Sequence, residues 1–436
     1  MILMKSNIVP AILVLSVLGG ASMATAEDWK TEANRRIEKV RKGDFTLRCV
    51  GPDGKPLSGH TIRIRQTASR FLFGMCITGD PDSNEPNEKK YFSFIRKHFN
   101  SVVLENHMKW YATEKKRDQL TYERADALTN WALANEMKIR GHCLFWSKRK
   151  FVQDWVQKLP KDELREEVIE RLHTIVPKYR GKVVCWDVNN EMLDGSFYKD
   201  RLGASIREDM FKIAHKLDPN AGLYTNEYGV LCNDKKMNRY IQLVRRLQRG
   251  GVPVTGIGIQ EHASERFVTS TETDQDDRPE RKGSGALIPS EVWRRLDKFG
   301  KLGLPIHLTE ISSRTKDPQR RADTLEALFR VGYAHKDVEA ILLWGFWAKR
   351  HWLGADAALV DKDWTLLPAG KRISNLLLKE WRTNAGRKSG EKGDVEFRGF
   401  HGTYKLTTTA ADGTRLAATV RLGPKHRTAT VRFAAK

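Results

Sequence analysis

The chain has 436 residues, of which 40% are hydrophobic and 30% charged, a composition that suits a large globular core and excludes general disorder. Its formal net charge of +22 would allow a nucleic acid, an acidic membrane or an anionic polymer as partner, but Lys and Arg are spread along the chain, so a generally basic surface explains the charge as well. The five cysteines are an odd number, so at least one is unpaired if none bridges another chain; a disulfide among them is possible but not predicted, and no Cys/His spacing is typical of a metal site.

Residues 1–26 have the pattern of a secretory signal. Lys5 provides a positive start, Ile8 to Leu18 form an apolar core too short to span a bilayer, and Ala24 to Ala26 form an Ala-x-Ala cleavage site. A membrane anchor is the alternative, but no second apolar segment of spanning length follows. We therefore expect a mature protein that begins near Glu27, is secreted or periplasmic, and has no membrane partner once the signal is removed.

Residues 27–69 predict a helix followed by a β-hairpin. The helix is expected over Asp28 to Lys42. Two strands with period-two alternation, Phe45 to Val50 and His60 to Gln66, flank a turn at Gly51 to Pro56 that is rich in Gly and Pro.

Residues 70–383 alternate short apolar strands with amphipathic helices. The predicted strands are Phe71–Ile77, Asn100–Leu104, Ile139–Phe145, Val183–Val188, Gly222–Thr225, Gly256–Ile259, Ile306–Thr309 and Ala340–Phe346. The predicted helices include Tyr122–Met137, Asp162–Ile175, Arg207–Lys216, Asp234–Gln248, Glu291–Leu302 and Pro318–Ala334. Eight strands with intervening helices predict an α/β fold, the (β/α)8 TIM barrel. An open doubly wound sheet is the alternative, although no Gly-rich phosphate loop follows the first strand.

The C-terminal part predicts a linker over residues 384–393 and four strands within residues 394–436. These strands are Val395–Phe397, Tyr404–Thr409, Arg415–Arg421 and Thr428–Phe433. Four strands are few for an independent sandwich, so we expect them to pair with the N-terminal hairpin in one small accessory β-domain. The segment contains no Trp, which argues against a stacking platform for sugars.

Two of the predicted barrel strands lead into a glutamate, Glu191 after the fourth strand and Glu310 after the seventh. A strand-end glutamate is more often simply solvated, but two of them in one parallel barrel suggest paired-carboxylate chemistry at its carboxyl end. Every strand after the first delivers polar or indole groups to that end, among them Glu105, Asn106, Lys109, His142, Trp146, Asn190, Asn226, Gln260, His262, Trp344 and Trp352. A random distribution would scatter such residues over both ends, so the sequence predicts a single site.

Six motifs resemble those of glycoside hydrolase family 10, the retaining endo-β-1,4-xylanases. They are Glu-Asn-His-Met-Lys-Trp (105–110), Gly-His-Cys-Leu-Phe-Trp (141–146), Trp-Asp-Val-Asn-Asn-Glu (186–191), Gly-Ile-Gly-Ile-Gln-Glu-His (256–262), Leu-Thr-Glu (308–310) and Leu-Trp-Gly-Phe-Trp (343–347). They occur in the family's order over roughly Phe71 to Trp381.

The resemblance implies roles for the site residues. Glu191 would be the acid/base and Glu310 the nucleophile, while Asn190 would bond the sugar 2-hydroxyl. Gln260 and His262 would position the nucleophile. Sugar subsites are implied at Glu105, Asn106, Lys109, His142 and Trp146, a further substrate contact at Asn226, and stacking walls at Trp344 and Trp352. We expect a polysaccharide substrate (xylan), no cofactor, no metal, no nucleic-acid partner and a monomer.

Four positions depart from the family pattern. Ser147 stands where a second His usually follows the Trp of the second motif, and Ser312 stands where an Asp normally partners the histidine. Glu227 and Gly229 interrupt the usual Asn-Asp-Tyr-Asn. Both glutamates are kept, so these changes bear on rate, pH optimum and subsites. A long polar loop, Ala263 to Pro289, is expected beside the cleft.

Basic residues follow three of the strands on the expected active face, at Lys148-Arg149-Lys150, Arg266 and Lys349-Arg350. One hypothesis is a cleft that prefers an acidic chain, such as glucuronic-acid-bearing xylan; solvated surface charges are the alternative. A hydrolase of another β-1,4-glycan and a non-catalytic carbohydrate-binding protein also remain open, although a binder needs neither glutamate. Net charge alone supports a nucleic-acid binder.

Overall fold

A computed structural model of the chain describes residues 28–262, 288–313 and 315–435. The predicted signal segment, and residues 263–287 of the polar loop with Arg266, lie outside the described residues. Within the described ranges, no helix is long and apolar enough to cross a membrane. The five cysteines are all free thiols, four of them buried.

The first described elements are a helix and two strands, α1 (Asp28–Arg41), β1 (Lys42–Val50) and β2 (Thr61–Ser69). Both strands alternate buried and exposed side chains, and most of their buried side chains are apolar, such as Phe45, Leu47, Ile62 and Ile64. The period of two that predicted them therefore reflects one face packed on a core and one face in solvent.

A closed parallel barrel follows. Its strands are β3 (Leu72–Ile77), β4 (Ser101–Leu104), β5 (Lys138–Gly141), β6 (Phe145–Trp146), β7 (Val183–Asn190), β8 (Gly222–Tyr228), β9 (Gly256–Glu261), β10 (Ile306–Ile311) and β11 (Val338–Leu343). The order β5-β4-β3-β11-β10-β9-β8-β7 closes on itself because β5 also pairs with β7. The predicted (β/α)8 barrel is confirmed, and the open doubly wound sheet is wrong.

The third barrel strand differs from its prediction as one continuous run. It is interrupted after Gly141, and the chain resumes as β6, whose Phe145 and Trp146 pair with Asn189 and Asn190 of β7. The interruption lies at the carboxyl end of the barrel, where the backbone N–H and C=O groups of residues 142–144 need not form the regular hydrogen bonds of the sheet. It places Trp146 directly beside the end of β7.

The helices that surround the barrel are α2 (Pro86–His98), α3 (Trp110–Thr113), α4 (Glu123–Ala134), α5 (Asp154–Lys158), α6 (Lys161–Lys178), α7 (Phe197–Leu202), α8 (Ile206–Leu217), α9 (Asp234–Arg249), α10 (Pro289–Gly300), α11 (Pro318–Ala334) and α12 (Pro368–Asn375). Several start signals are local. Pro occupies the first turn of α2, α10, α11 and α12, where its missing N–H costs no hydrogen bond. Asp317 caps α11 by accepting hydrogen bonds from two backbone N–H groups.

The six strands of the C-terminal segment join the two N-terminal strands in a sandwich of two sheets. They are β12 (Asn384–Lys388), β13 (Asp394–Phe400), β14 (Gly402–Thr409), β15 (Arg415–Leu422), β16 (Thr428–Arg432) and β17 (Ala434–Ala435). One sheet has the order β13-β1-β16 and the other β12-β2-β14-β15-β17. Between them lies a separate apolar core that includes Phe45, Leu47, Ile64, Phe397 and Tyr404.

Two sequence predictions for these segments need correction. The prediction of an N-terminal hairpin is wrong, because β1 and β2 lie in different sheets. Each strand has an apolar face, and the two faces pack against each other across the shared core, so the strands are not hydrogen-bonded neighbours in one sheet. The linker over residues 384–393 is wrong for its first half, since Asn384–Lys388 pairs with β2. Ala385 is the residue of β12 that packs on the core, so apolar alternation could not reveal this edge strand.

Candidate active site

A cavity of about 470 Å³ opens at the carboxyl ends of the barrel strands. Of the thirteen residues predicted for the site, twelve line it: Glu105, Asn106, Lys109, His142, Trp146, Asn190, Glu191, Gln260, His262, Glu310, Trp344 and Trp352. Asn226 does not line the cavity, but it hydrogen-bonds two residues that do. The strand order therefore brings all the predicted residues to one place.

Glu310 lies at the end of β10, where its carboxylate is held by two neighbours. Asn226 Nδ2 donates to Oε1 at 2.8 Å, and His262 Nε2 lies 3.3 Å from Oε2. Burial alone would raise the pKa of the Glu310 carboxyl, but the hydrogen bond from His262 and the charges of His142, His262 and Lys109 hold that pKa below its ordinary value. Glu310 is thus an ionised carboxylate at neutral pH.

Three amides connect the ends of β7, β8 and β9. Asn190 Oδ1 accepts from Asn226 Nδ2 at 3.0 Å and from Gln260 Nε2 at 3.1 Å. Asn226 Oδ1 in turn accepts from Thr309 Oγ1 at 2.6 Å. Because all three amides are buried, this chain fixes their orientation next to Glu310.

Glu191 ends β7 in an unusual backbone conformation. Its φ of 59° lies in the left-handed region, which costs free energy for a residue with a side chain. Backbone hydrogen bonds support the turn, from Glu191 N–H to Asn226 O at 2.9 Å and from Gly195 N–H to Glu191 O at 2.7 Å. Its Oε2 accepts from Trp146 Nε1 at 3.0 Å and lies 2.9 Å from Lys148 Nζ. The acidic oxygen therefore has two donors.

The ion pair between Lys148 and Glu191 belongs to a network that sequence reasoning missed. Lys148 Nζ also donates to Tyr228 Oη at 3.2 Å, and Tyr228 donates to Asp194. Lys236 Nζ lies 2.5 Å from Asp194 Oδ2 and 3.3 Å from the centroid of the Tyr228 ring. Burial would raise the pKa of Asp194, but the hydrogen bonds from Lys236 and Tyr228 lower it. The basic run at 148–150 was the one sequence signal of this network.

Gly195 lets the loop that carries Lys148 approach Glu191. A Cβ atom at this position would lie 2.7 Å from the backbone carbon of Ser147 and 2.8 Å from both Glu191 O and Lys148 N. Real Cβ atoms are not found so close to backbone atoms. A side chain at residue 195 would therefore push Lys148 away from the carboxylate.

A buried charge cluster below the cavity orients His142, and the sequence prediction did not include its members. Asp187 Oδ2 accepts from His142 Nδ1 at 2.8 Å and from Arg140 Nε at 3.1 Å. Burial alone would raise the pKa of the Asp187 carboxyl, but Arg140 and His142 lower it by more, so its pKa lies below the ordinary value. The other imidazole nitrogen, Nε2, then faces Glu310 Oε1 at 4.0 Å. Arg140 and Asp187 both lie in strands predicted from the sequence, and the presence of a charged residue inside an apolar strand was the signal that could have identified them.

Aromatic and polar groups form the remaining walls. Lys109 is buried, donates to Asn106 Oδ1 at 3.0 Å and lies 4.5 Å from the centroid of the Trp146 ring. Trp146 stacks on Phe151 with centroids 3.5 Å apart. Burial raises the pKa of Glu105. Trp352 is 46% exposed, which leaves indole surface accessible at the cavity.

The positions that depart from the family pattern have visible consequences. In the family pattern, an Asp at position 312 partners the histidine that corresponds to His262. Here Ser312 replaces that Asp, and Nδ1 of His262 is buried without a hydrogen-bond partner within the described part of the chain. Ser147 donates to Asn189 Oδ1 at 2.5 Å. Glu227 accepts from Leu193 N–H at 2.8 Å, and burial raises its pKa to about 8. Gly229 has a φ of 66°, which glycine adopts without strain.

The basic residues expected on the active face divide into two groups. Lys148 and Lys150 line the cavity, whereas Arg149, Lys349 and Arg350 do not. Arg350 is held by Glu88, whose Oε2 lies 3.0 Å from its Nη1, so it contributes no free charge to the cavity. Its partner comes from α2, the helix between the first two barrel strands.

The described residues contain no cluster of three or more His, Cys, Asp or Glu side chains that could hold a metal ion. Two carboxyl groups at the cavity differ in their surroundings: Glu310 is ionised and well hydrogen-bonded, and Glu191 is paired with an ammonium. Such a pair suits cleavage of a glycosidic bond.

Comparisons with known proteins agree with the architecture. The family model described as glycosyl hydrolase family 10 matches residues 64–376. The chain is 39% identical over 388 residues to anti-sigma-I factor RsgI6 of Acetivibrio thermocellus and 37% identical over 389 residues to endo-1,4-beta-xylanase 1 of Arabidopsis thaliana. These alignments cover 88% of this chain but 47% and 38% of those proteins, so the chain spans less than half the length of either relative.

Solved structures show the same likeness. Native xylanase 10B from Thermotoga maritima superposes with a TM-score of 0.62 at 26% identity, covering 71% of this chain and 96% of that chain. Xylanase 10B from Thermotoga petrophila in complex with xylobiose gives a TM-score of 0.61 at 26% identity, with 71% and 95% of the two chains covered.

Proposed function

The chain belongs to glycosyl hydrolase family 10, and from that premise we propose that it is a secreted endo-1,4-β-xylanase that cleaves internal xylosidic bonds with retention. The observation that carries the proposal is the placement of Glu191 and Glu310 at one cavity, connected through Asn190 and Asn226. Curated relatives named endo-1,4-beta-xylanases support the substrate class. The signal pattern of residues 1–26 supports secretion.

The mechanism follows from the different surroundings of the two glutamates. Glu310, kept ionised by its donors, attacks the anomeric carbon, and the bond to the leaving oxygen breaks as Glu191 gives that oxygen a proton. The glycosyl-Glu310 ester is then hydrolysed by water, whose proton returns to Glu191. Retention requires the two carboxyl groups to be roughly 5–5.5 Å apart. Asn190, fixed by Asn226 and Gln260, would hold the sugar 2-hydroxyl.

The ion pair at Glu191 gives the proposed acid an additional requirement. Lys148 Nζ lies 2.9 Å from Glu191 Oε2 and occupies the side of that oxygen that the leaving oxygen would approach, so Lys148 must turn to another partner before Glu191 can donate a proton there. A substrate that carries a carboxylate near the leaving-group sugar would supply that partner. We therefore propose that the cleft prefers glucuronic-acid-bearing xylan to neutral xylan, with Lys148 and Lys150 as the selecting charges.

The same ion pair favours one other candidate function, a non-catalytic carbohydrate-binding protein. A glutamate held as the partner of an ammonium is well placed to organise a binding site even if it never transfers a proton. This candidate predicts binding of xylan without turnover.

The deciding experiment measures reducing-sugar release from neutral and glucuronic-acid-substituted xylan, with Glu191→Ala and Glu310→Ala as controls. We expect release by the wild type, a higher rate on the acidic xylan at low salt, and loss of activity in both variants. Raising the ionic strength should weaken the preference, because salt screens charges. No release from either xylan by folded wild-type protein would reject the enzyme in favour of the binder.

A further inference from the structure

The larger sheet of the β-sandwich exposes a face that carries positive but no negative side chains. Side chains alternate along each strand, and the positions of β12, β2, β14 and β15 that alternate with the core-facing residues, such as Ile62, Ile64 and Leu406, point outward and all hold exposed or half-exposed residues. Those positions hold six cations, Lys388, Arg63, Arg65, Lys405, Arg415 and Arg421. The remaining outward residues are mainly threonines, and none is Asp or Glu. We call this surface the basic face.

The strand register places the cations of the basic face close together. Arg65 lies directly opposite Lys405, and Thr403, two residues before Lys405, lies opposite Arg421. Neighbouring strands are about 4.8 Å apart, and residues two apart on one strand are separated by about 7 Å. The charges therefore spread across four strands rather than converge on one point. Such a layout suits an extended chain with several negative groups better than a single small anion.

The six cations form no ion pair with any residue in the described part of the chain. The other sheet of the sandwich is different. Its outward positions on β13, β1 and β16 carry both signs, with Asp44, Asp394 and Glu396 among Arg48, Arg398 and Arg432. Arg398 binds Asp44 at 3.0 Å, and Arg48 lies opposite Asp394. The concentration of positive charge is thus specific to one face.

A depression of about 950 Å³ lies at one end of the basic face, lined in part by Thr61, Arg63, Thr407, Thr409 and Arg415. It combines two guanidinium groups with hydroxyl groups that can donate or accept hydrogen bonds. Guanidinium groups bind carboxylates in a two-pronged geometry, and hydroxyls suit the hydroxyl groups of sugars.

We propose that the basic face binds an acidic polysaccharide, a chain that carries uronic-acid carboxylates, as a second polysaccharide surface separate from the catalytic cleft. The inference rests on the proposed function, since a uronate-bearing xylan would then be both substrate and ligand. Charge complementarity identifies the ligand as a polyanion. The outward positions hold no aromatic residue, so the face lacks the stacking groups that proteins use for single-stranded nucleic acids, and it lacks apolar side chains for insertion into a membrane.

The test is affinity electrophoresis of the full chain carrying Glu310→Ala, in gels that contain glucuronoxylan, neutral arabinoxylan or no polymer. The test variant adds Arg63→Gln, Arg65→Gln, Lys405→Gln and Arg421→Gln. The matched control instead adds Arg48→Gln, Lys392→Gln, Arg427→Gln and Arg432→Gln, which removes the same charge on or beside the mixed-charge face. Competition by double-stranded DNA is measured in parallel, and circular dichroism verifies folding.

We expect glucuronoxylan to retard the Glu310→Ala chain more than arabinoxylan does, and the test variant to raise the apparent Kd at least about tenfold, since each exposed charge pair in water contributes up to about 1 kcal/mol. The control should stay within about twofold, and about 0.3 M salt should abolish the difference. Equal binding by the test variant, or an equal loss in the control, would overturn the inference. Tighter binding of DNA than of glucuronoxylan would also overturn it, in favour of a nucleic-acid surface.

Binding and turnover are measured separately, so the two proposals can fail separately. If wild-type protein releases no sugar while the Glu310→Ala chain still binds glucuronoxylan through the basic face, the proposed enzyme fails and the surface stands. If hydrolysis proceeds but the four-residue variant binds unchanged, the surface is rejected and the enzyme stands.

Discussion

The catalytic cleft and the basic face are both rich in positive charge, but they use it differently. In and beside the cleft, Lys148 pairs with Glu191, Lys236 with Asp194, and Arg350 with Glu88. On the basic face the cations have no carboxylate partner in the described part of the chain. A paired cation fixes the orientation of its carboxylate partner and is therefore not free to bind an external anion, whereas an unpaired cation is. Net charge alone could not have distinguished these two uses.

The largest expected effect is the loss of catalytic activity when the proposed nucleophile is removed. Glu310→Ala leaves no carboxylate to attack the anomeric carbon, so we expect kcat on xylan to fall at least about 10⁴-fold. Glu396→Ala, which removes an exposed carboxylate from the mixed-charge face, should leave kcat within about twofold. Azide added to Glu310→Ala should restore part of the rate by taking the place of the missing group. Wild-type-like turnover by Glu310→Ala would show that Glu310 is not the nucleophile.

The next effect concerns the group that keeps Glu310 ionised. His262→Ala removes the hydrogen bond that lowers the pKa of Glu310, so burial should raise that pKa. Because the carboxylate is the active form, the acidic limb of the kcat/KM profile should move to higher pH, with a loss of about tenfold or more near pH 5. His426→Ala, on an exposed turn, should not move the limb. An unchanged acidic limb in His262→Ala would separate His262 from the ionisation of Glu310.

A smaller effect is expected at the ion pair of Glu191. Lys148→Met removes the ammonium that holds the carboxylate, so kcat/KM on neutral xylan should rise about two- to fivefold, while the preference for glucuronoxylan should fall by about the same factor. Lys349→Met, a change outside the cavity lining, should alter neither value. Paired assays on the two xylans at low salt measure both effects. A retained preference in Lys148→Met would assign the selection to other charges.

The smallest effect concerns a buried carboxyl of the barrel that has no cation hydrogen-bonded to it within the described residues. Folding raises the pKa of Glu227 to about 8, so its contribution to stability is fully present below the unfolded value near 4.5 and is lost as the pH rises through 8. Glu227→Gln cannot ionise, so between pH 5 and 8 its unfolding free energy should decline less steeply, by up to about 1.4 kcal/mol per pH unit. Urea unfolding at several pH values measures the slope, with the exposed Glu339→Gln as control. Parallel slopes for Glu227→Gln and wild type would contradict a raised pKa.

The sequence was sufficient for the barrel because each strand is a short apolar run and each run ends in polar residues. Once the strands close into a barrel, those ends meet, so Glu191, Glu310 and their neighbours could be assigned to one site from the residue pattern alone. The pairing of Lys148 with Glu191 could not be predicted, because it depends on a loop conformation that Gly195 permits and that has no periodicity. The same holds for Arg140 and Asp187, whose spacing of 47 residues becomes a contact only in the folded sheet.

The errors in the β-sandwich have a related cause. Period-two alternation shows that a strand has one buried face, but it does not show which strand lies beside it. β1 and β2 therefore looked like the two halves of a hairpin, although their hydrogen-bond partners come from the other end of the chain. β12 escaped detection because an edge strand with charged and small residues has almost no apolar pattern.

The interleaving of the two chain ends in one sandwich sets the order in which the protein can be completed during synthesis. β2 is flanked by β12 and β14, so its neighbours emerge from the ribosome more than 300 residues after it does. Until then, the apolar faces of β1 and β2 have no second sheet to pack against. The barrel, which lies between β2 and β12 in the chain, can fold first. Loop-closure entropy rises only slowly with length, so this late step is thermodynamically accessible but slow. Loss of the segment from β12 onward would leave the first two strands with exposed apolar faces and unpaired edges.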